Sequence, residues 1–356
     1  MKWPSIGIVL SAAIFFVSCS TVSRKQDEKQ MDSSTRVTFV KQEADQRVDV
    51  IIGGTRFTSY WWPDSVYKPI LYPILTARGT PITRGFPIKA RAGERRDHMH
   101  QVGNWLNYGN VNGYDFWGNG VDGIRNVNDG QIKHLRIDSL SDGNGEGSMV
   151  TTASWIDPAG KELLREKTAF HFIARDSLRM IDRITTLTAS AGAVKFKDTK
   201  EGMFGIRVAR QLELPSNEDI ILTDAHGNPT TVKAMSNEGV TGNYRSSEGV
   251  TGPAVWGTRA KWMDLYGNIG NENISLVICD HPKNLSYPTY WHARGYGLFS
   301  ANPFGVKDFT EGKDSLNYTL ADRQSLTFRY RIIISCDRHL TDAEINAYAD
   351  DFAKRY

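Results

Sequence analysis

Four segments concentrate side chains that can move protons or grip oxygen-rich ligands. The first, RRDHMHQVGNWLNYGNVNGYDFWGNG at residues 95–120, holds His98, His100, Trp105, Asp115 and Trp117, with Arg84 just upstream. The second, KEGMFGIRVARQLEL, carries Glu201 and Arg207. The third, AVWGTRAKWMDLYG, carries Trp256, Arg259 and Trp262. The fourth, VICDHPKNLSYPTYWHARGYGLFSANPFG, carries Asp280, His281, Trp291, His292, Arg294 and Asn302.

On a strand, His98 and His100 would point to the same face, because side chains there alternate with period two. Their ring nitrogens could flank a substrate as acid and orienter, or converge on a metal with His292 or His281 as third ligand. An isolated H-x-H is a weak signal, so no metal and no cofactor is assigned. Glu201 precedes Gly202 at the mouth of an apolar run, where the glycine leaves room for a substrate. Paired with a histidine, it can act as general base on a hydroxyl or an acidic C–H; otherwise it is a solvated strand-end carboxylate paired with Lys200 or Arg207. His292 sits between Trp291 and Arg294, which suits a binding cleft or an aromatic belt around a turn. Asp280 could fix the tautomer of His281 or simply cap a turn. The tryptophans beside Gly and Asn suit stacking on sugar rings, with Arg84, Arg207, Arg294, Asp115 and Asn302 reading hydroxyls.

These residues need a rigid scaffold. The chain has 356 residues, 40% of them hydrophobic, enough for a substantial core. Its net charge of +3 points to no nucleic-acid partner. Strand signals dominate. KHLRIDSL, SMVTTASWI, LLREKTAFHFI and LRMIDRITTLTA follow one another across short turns and predict an antiparallel meander. SLTFRYRIIIS alternates as a half-buried strand with a wet face. The last element reads as a helix, with Thr341 and Glu344 in a capping box and Ile345, Tyr348, Ala349 and Phe352 on one face. The expected fold is mainly β: a large antiparallel β-sandwich with a C-terminal helix, one domain over residues 36–356. Cys279 and Cys336 are expected to be buried free thiols.

The start reads as a signal peptide over residues 1–18. A basic Lys2 precedes an apolar run that is too short for a bilayer span and ends at Cys19. Small residues before that cysteine resemble a lipobox. Cys19 is therefore the expected lipidation site, with residues 19–35 a polar tether to the membrane and a cell-envelope location, periplasmic or outer-membrane.

Together the segments KPILYPILTARGTPITRGFP, DHMHQVGNWLNYGNVNGYDFW and VWGTRAKWMDLYG resemble the bacterial family often labelled PmoA-like, or methane oxygenase PmoA. The resemblance implies a galactose-mutarotase-like supersandwich and a role in carbohydrate metabolism. Asp97, His98, His100, Gly103 and Trp105 match that family's D-H-x-H-H-R-G-x-W pattern, while Gln101 and Val102 replace its His and Arg. Membrane methane oxidation is rejected, because no further apolar run matches a polytopic membrane subunit. The expected function is a carbohydrate-active lipoprotein, either a hydrolase, lyase or epimerase using His98, His100, Glu201 and His292, or a non-catalytic glycan binder.

Overall fold

The computed structural model describes residues 1, 3–4, 33–118, 126–232 and 237–356. Cys19, the apolar run before it and the tether as far as residue 32 lie outside the described residues. Residues 32–356 cluster into one compact unit. No helix among the described residues is long and apolar enough to cross a membrane.

Two large antiparallel sheets form the body. The eight-stranded sheet contains the expected meander: Gln131–Ser141, Glu146–Ile156, Glu162–Arg175 and Leu178–Ala189 are neighbours joined by short turns. One turn shows why the chain reverses. Asp157 Oδ1 accepts from the backbone of Ala159 and Lys161, both at 2.9 Å, and Gly160 adopts φ +86°. Ser325–Ser335 pairs with the meander's last strand. The nine-stranded sheet runs, in spatial order, Tyr290–Ala293, Leu298–Asn302, Gly202–Arg207, Asn104–Tyr108, Ile70–Leu71, Thr55–Trp61, Arg47–Ile52, Arg36–Gln42 and Gly143–Asn144.

The main core lies between the sheets. Strand residues alternate faces, so Leu106, Phe204, Ile206 and Ala301 from one sheet meet Trp155, Phe172, Ile181 and Ile332 from the other. Phe204 stacks on Tyr330 at 4.7 Å, and Phe57 meets Phe172 edge-on at 6.4 Å. Apolar clusters also cover both outer faces. On the eight-stranded sheet the helix Asp342–Arg355 packs Ile345 and Phe352 against Trp262, Val277 and Ile333, capped by the Thr341–Glu344 box. On the nine-stranded sheet Val66, Val102, Trp105, Trp117 and Leu298 form a separate cluster. Cys279 and Cys336 are buried and free.

One expectation fails here. The wet face of Ser325–Ser335 is dry along its second half: Arg331 is fully buried and bound to Asp182 on the neighbouring strand at 2.6 and 2.8 Å. The helix covers this face, adding the Tyr348 carbonyl and Asp351 to the same guanidinium. An alternating pattern with arginines looks solvated until a tertiary partner pairs the charge.

Candidate active site

The outer face of the nine-stranded sheet assembles the site through strand register. Trp105 lies opposite Gly205, Gly205 opposite Ser300, and Ser300 opposite His292. Opposite residues share a face, so Trp105, Gly205, Ser300 and His292 make one row across four strands. Gly205 is required there: a Cβ would come within 2.7 Å of the Trp105 indole. Trp117 closes over this row, 5.5 Å from Trp105 and 6.4 Å from the His292 ring.

The turn at residues 97–101 forms the opposite wall. His98 and His100 are not on a strand. His98 adopts φ +43°, and their rings meet edge-on at 5.8 Å. Arg84 holds the turn from below. It donates to Asp97 Oδ1 at 2.7 Å and to the carbonyls of Asp97 and His98 at 2.8 and 2.9 Å. Arg207 donates to Asp97 Oδ1 and to Gln101 Oε1, both at 2.6 Å. Both guanidiniums are buried, so these arginines shape the wall rather than reach into solution. Asp97 Oδ2 faces His98 Nδ1 at 3.2 Å. Burial pushes the Asp97 carboxyl up, but the His98 hydrogen bond and the two arginines outweigh it, and the net shift is well below the ordinary value.

Glu201 is half-buried at the head of Gly202–Arg207. Burial raises its carboxyl despite Lys200, 3.6 Å away, and it lies within electrostatic reach of His98, Asp115 and Tyr296. Its position is set by the residues before it. Asn302 Nδ2 donates to the carbonyls of Thr199 and Lys200, each at 2.9 Å. His100 and His292 are both pushed down to about 3, first by burial and then by nearby cations, so both imidazoles are neutral at pH 7. His100 Nε2 and His292 Nδ1 are buried without a protein partner, as are Trp105 Nε1 and the Nε atoms of Arg84 and Arg207. Buried polar atoms are normally satisfied, so these five atoms on one face are a feature that the protein's own hydrogen bonds do not explain.

The remaining candidates divide. Asp115 accepts from the backbone of Trp117 and Gly118 at 2.7 and 3.1 Å, which orients Trp117. Arg294 is exposed and lies 5.4 Å over Trp256, in a neighbouring cleft. Trp291 is absent from the site. It alternates with His292 into the inter-sheet core and donates to the Ala260 carbonyl at 3.1 Å. Asp280 ends a strand of the eight-stranded sheet and His281 follows it, beside the C-terminal helix. Asp280 accepts from the backbone of His281 and Thr289 and from Asn284, and His281 packs on Phe352. They are not brought to Glu201. Among the described residues no group of three or more His, Cys, Asp or Glu is placed to hold a metal.

Sequence reasoning assigned no role to three participants. Tyr296 stacks on His98 at 4.8 Å and lies 4.8 Å under Arg207. Lys68 is buried, donates to the His100 carbonyl at 2.8 Å and is pushed down to about 7, chiefly by burial. Gln101 supplies the acceptor for Arg207. Tyr296 sat in the Gly-rich ARGYG loop, a faint signal; a buried lysine gives none.

The sequence matches a family of unknown function, DUF6807, over residues 47–350. The chain belongs to this family. That corrects the PmoA-like resemblance, whose segments all lie within the matched stretch. In this chain Gln101 bonds Arg207 and Val102 is buried in the outer cluster. No curated protein matches the DUF6807 chain. Among solved structures it is similar to a GH36 α-galactosidase, AgaA, from Geobacillus stearothermophilus in complex with stachyose, at 10% identity and TM-score 0.37, covering 86% of this chain and 41% of that one. The chain thus spans about two fifths of that α-galactosidase. It is also similar to a putative aldose 1-epimerase from Escherichia coli K12, at 11% identity and TM-score 0.30, covering 84% of this chain and 99% of that one. Similarity this distant carries no activity across to the DUF6807 protein.

Proposed function

We propose that this DUF6807 protein is a carbohydrate-active enzyme that uses the outer-face site for proton transfer on a sugar. One observation carries the reading: Glu201, its carboxyl raised by burial, lies in electrostatic reach of His98, whose ring meets that of the neutral His100 at 5.8 Å. A neutral imidazole offers one donor and one acceptor nitrogen, which suits hydroxyl groups that both give and take hydrogen bonds. Glu201 takes a proton from a hydroxyl or an activated C–H. His98, oriented through Nδ1 by Asp97, is placed to deliver one to the group that gains charge. Hydrolysis, elimination and epimerisation share this need. The anchor expected at Cys19 would hold the domain at a membrane, and mass spectrometry of the mature N-terminus tests it.

A second reading, glycan binding without turnover, is favoured by the neighbouring cleft, where the partly exposed Trp256 offers a stacking face that the buried Trp105 and Trp117 do not. The deciding experiment follows a panel of neutral and acidic sugars by NMR. Glu201→Gln is expected to lower kcat/KM by about 10²–10⁴-fold while leaving binding intact. Undiminished conversion by that variant removes the enzyme reading. Saturable binding without conversion by the native protein, abolished in Trp256→Ala, selects the second.

A further inference from the structure

We propose that the cleft beside the acid–base group holds the negative charge of an anionic sugar, a carboxylate or a phosphate, between Arg95 and Arg294. The proposal rests on the carbohydrate reading and names the ligand class. The cleft encloses about 640 Å³ and is lined in part by Arg95, Trp256, Arg294 and Tyr296, a size that suits a small ligand. Tyr296 is the shared wall, with its ring stacked on His98. One side chain thus separates the cleft from the proton-transfer group.

The charge around this cleft does not balance. Arg95 gives its Nε to Glu213 at 2.7 Å, and Arg210 pairs with the same Glu213 oxygen. On the other side of Tyr296, Arg84 and Arg207 share Asp97. Four guanidiniums thus divide two carboxylates. Arg294 has no carboxylate partner among the described residues and rests on Trp256 instead. Glu218, exposed at the rim, is the one acid among the lining residues. A cleft lined by charges of one sign attracts a ligand of the other. Guanidiniums match the two oxygens of a carboxylate or phosphate in a fork. The same surplus acts on the histidines: after burial, cations including Arg294 help keep His292 neutral.

Titration calorimetry at low ionic strength compares D-glucuronate, D-galacturonate and glucose 6-phosphate with glucose and galactose. The anionic sugars are expected to bind at least about tenfold more tightly than their neutral parents, with the gap shrinking as salt is added. Arg294→Gln removes an exposed, unpaired charge and should fold normally, as near-ultraviolet circular dichroism checks. It should erase the gap and leave the affinity for the neutral sugar. The ranking of uronate against sugar phosphate identifies the anion. Equal affinity for acid and parent overturns the proposal and leaves the carbohydrate reading standing. Binding of inorganic phosphate that depends on Arg294, with no sugar bound, upholds the charge assignment and overturns the carbohydrate reading. If neither sugars nor phosphate bind, both are overturned.

Discussion

Each of the two sheets carries arginine–aspartate pairing on its outer face, and the two faces end up doing different things. On the eight-stranded sheet, Arg331 and Asp182 sit directly opposite in the ladder, and both are fully buried. Every nitrogen of that guanidinium has an acceptor, two of them supplied by the C-terminal helix, and Phe352 covers its plane at 5.0 Å. On the nine-stranded sheet, Asp97 receives Arg84 and Arg207, yet its side chain stays 33% exposed and both Nε atoms lack partners. A helix closes the first face, and turns border the second. The same ion-pair chemistry becomes a staple when a continuous element seals it and a ligand-ready wall when it is left open at one edge.

The contrast can be broken most forcefully at the sealed pair. Asp182→Ala leaves the buried Arg331 with only the Tyr348 carbonyl and Asp351 on one nitrogen and is expected to cost about 3–5 kcal/mol of stability, read by urea denaturation. A loss below 1 kcal/mol, roughly the worth of an exposed ion pair, would mean that the helix seals nothing. Asp97→Asn should cost less, about 1–3 kcal/mol, because water already reaches that carboxylate. It should also depress turnover, since His98 loses the partner that orients it. A variant that loses stability but keeps full turnover would show the open wall to be a staple as well.

Acid stability gives the smallest effect and separates two kinds of group within the open face. His100 and His292 have an ordinary value of 6.5 and are held down to about 3 in the folded protein, mainly by burial. Between those values the unfolded chain binds protons that the native state refuses. Their contribution is therefore steady above about pH 6.5 and falls as the pH drops towards 3. Asp97 behaves differently. Its stabilisation persists down to the ordinary carboxylate value of 3.8 and fades only as the pH falls through its lower folded value. Replacing both histidines by Asn should flatten the stability curve between about pH 6 and pH 4, while Asp97→Asn alters it only below. An unchanged slope in the double histidine variant would place those rings in water.

The meander and the final helix were legible because their signals are local: alternation within each strand, an Asp-Pro-Ala-Gly turn at Asp157, and a capping box at Thr341. Glu201, His98, His100 and His292 were legible as a group by composition, since glycine, asparagine and aromatics surround them. Trp291 and His292 show the limit. They are adjacent in sequence and equally suited to a cleft, yet a strand must send one inward, and only the pairing with Leu298–Asn302 says which. Asp280 and His281 failed for a related reason. They share a segment with His292, but Asp280 ends a strand of the other sheet. The His98–His100 pair converges through a turn with a left-handed residue, not through the strand geometry that its spacing suggested.

By itself the sequence determined the β-rich architecture, the helix that ends it and the chemical types available for a site, because propensity, turn chemistry and periodicity act over a few residues. Tertiary structure decided which charges were sealed and which were left open. Register across four strands put Trp105, Gly205, Ser300 and His292 in one row, and long-range packing set Tyr296 between His98 and the arginine-lined cleft. Most of those outcomes depend on contacts between residues about a hundred or more positions apart, where local pattern carries no information and burial, pairing and desolvation set the result.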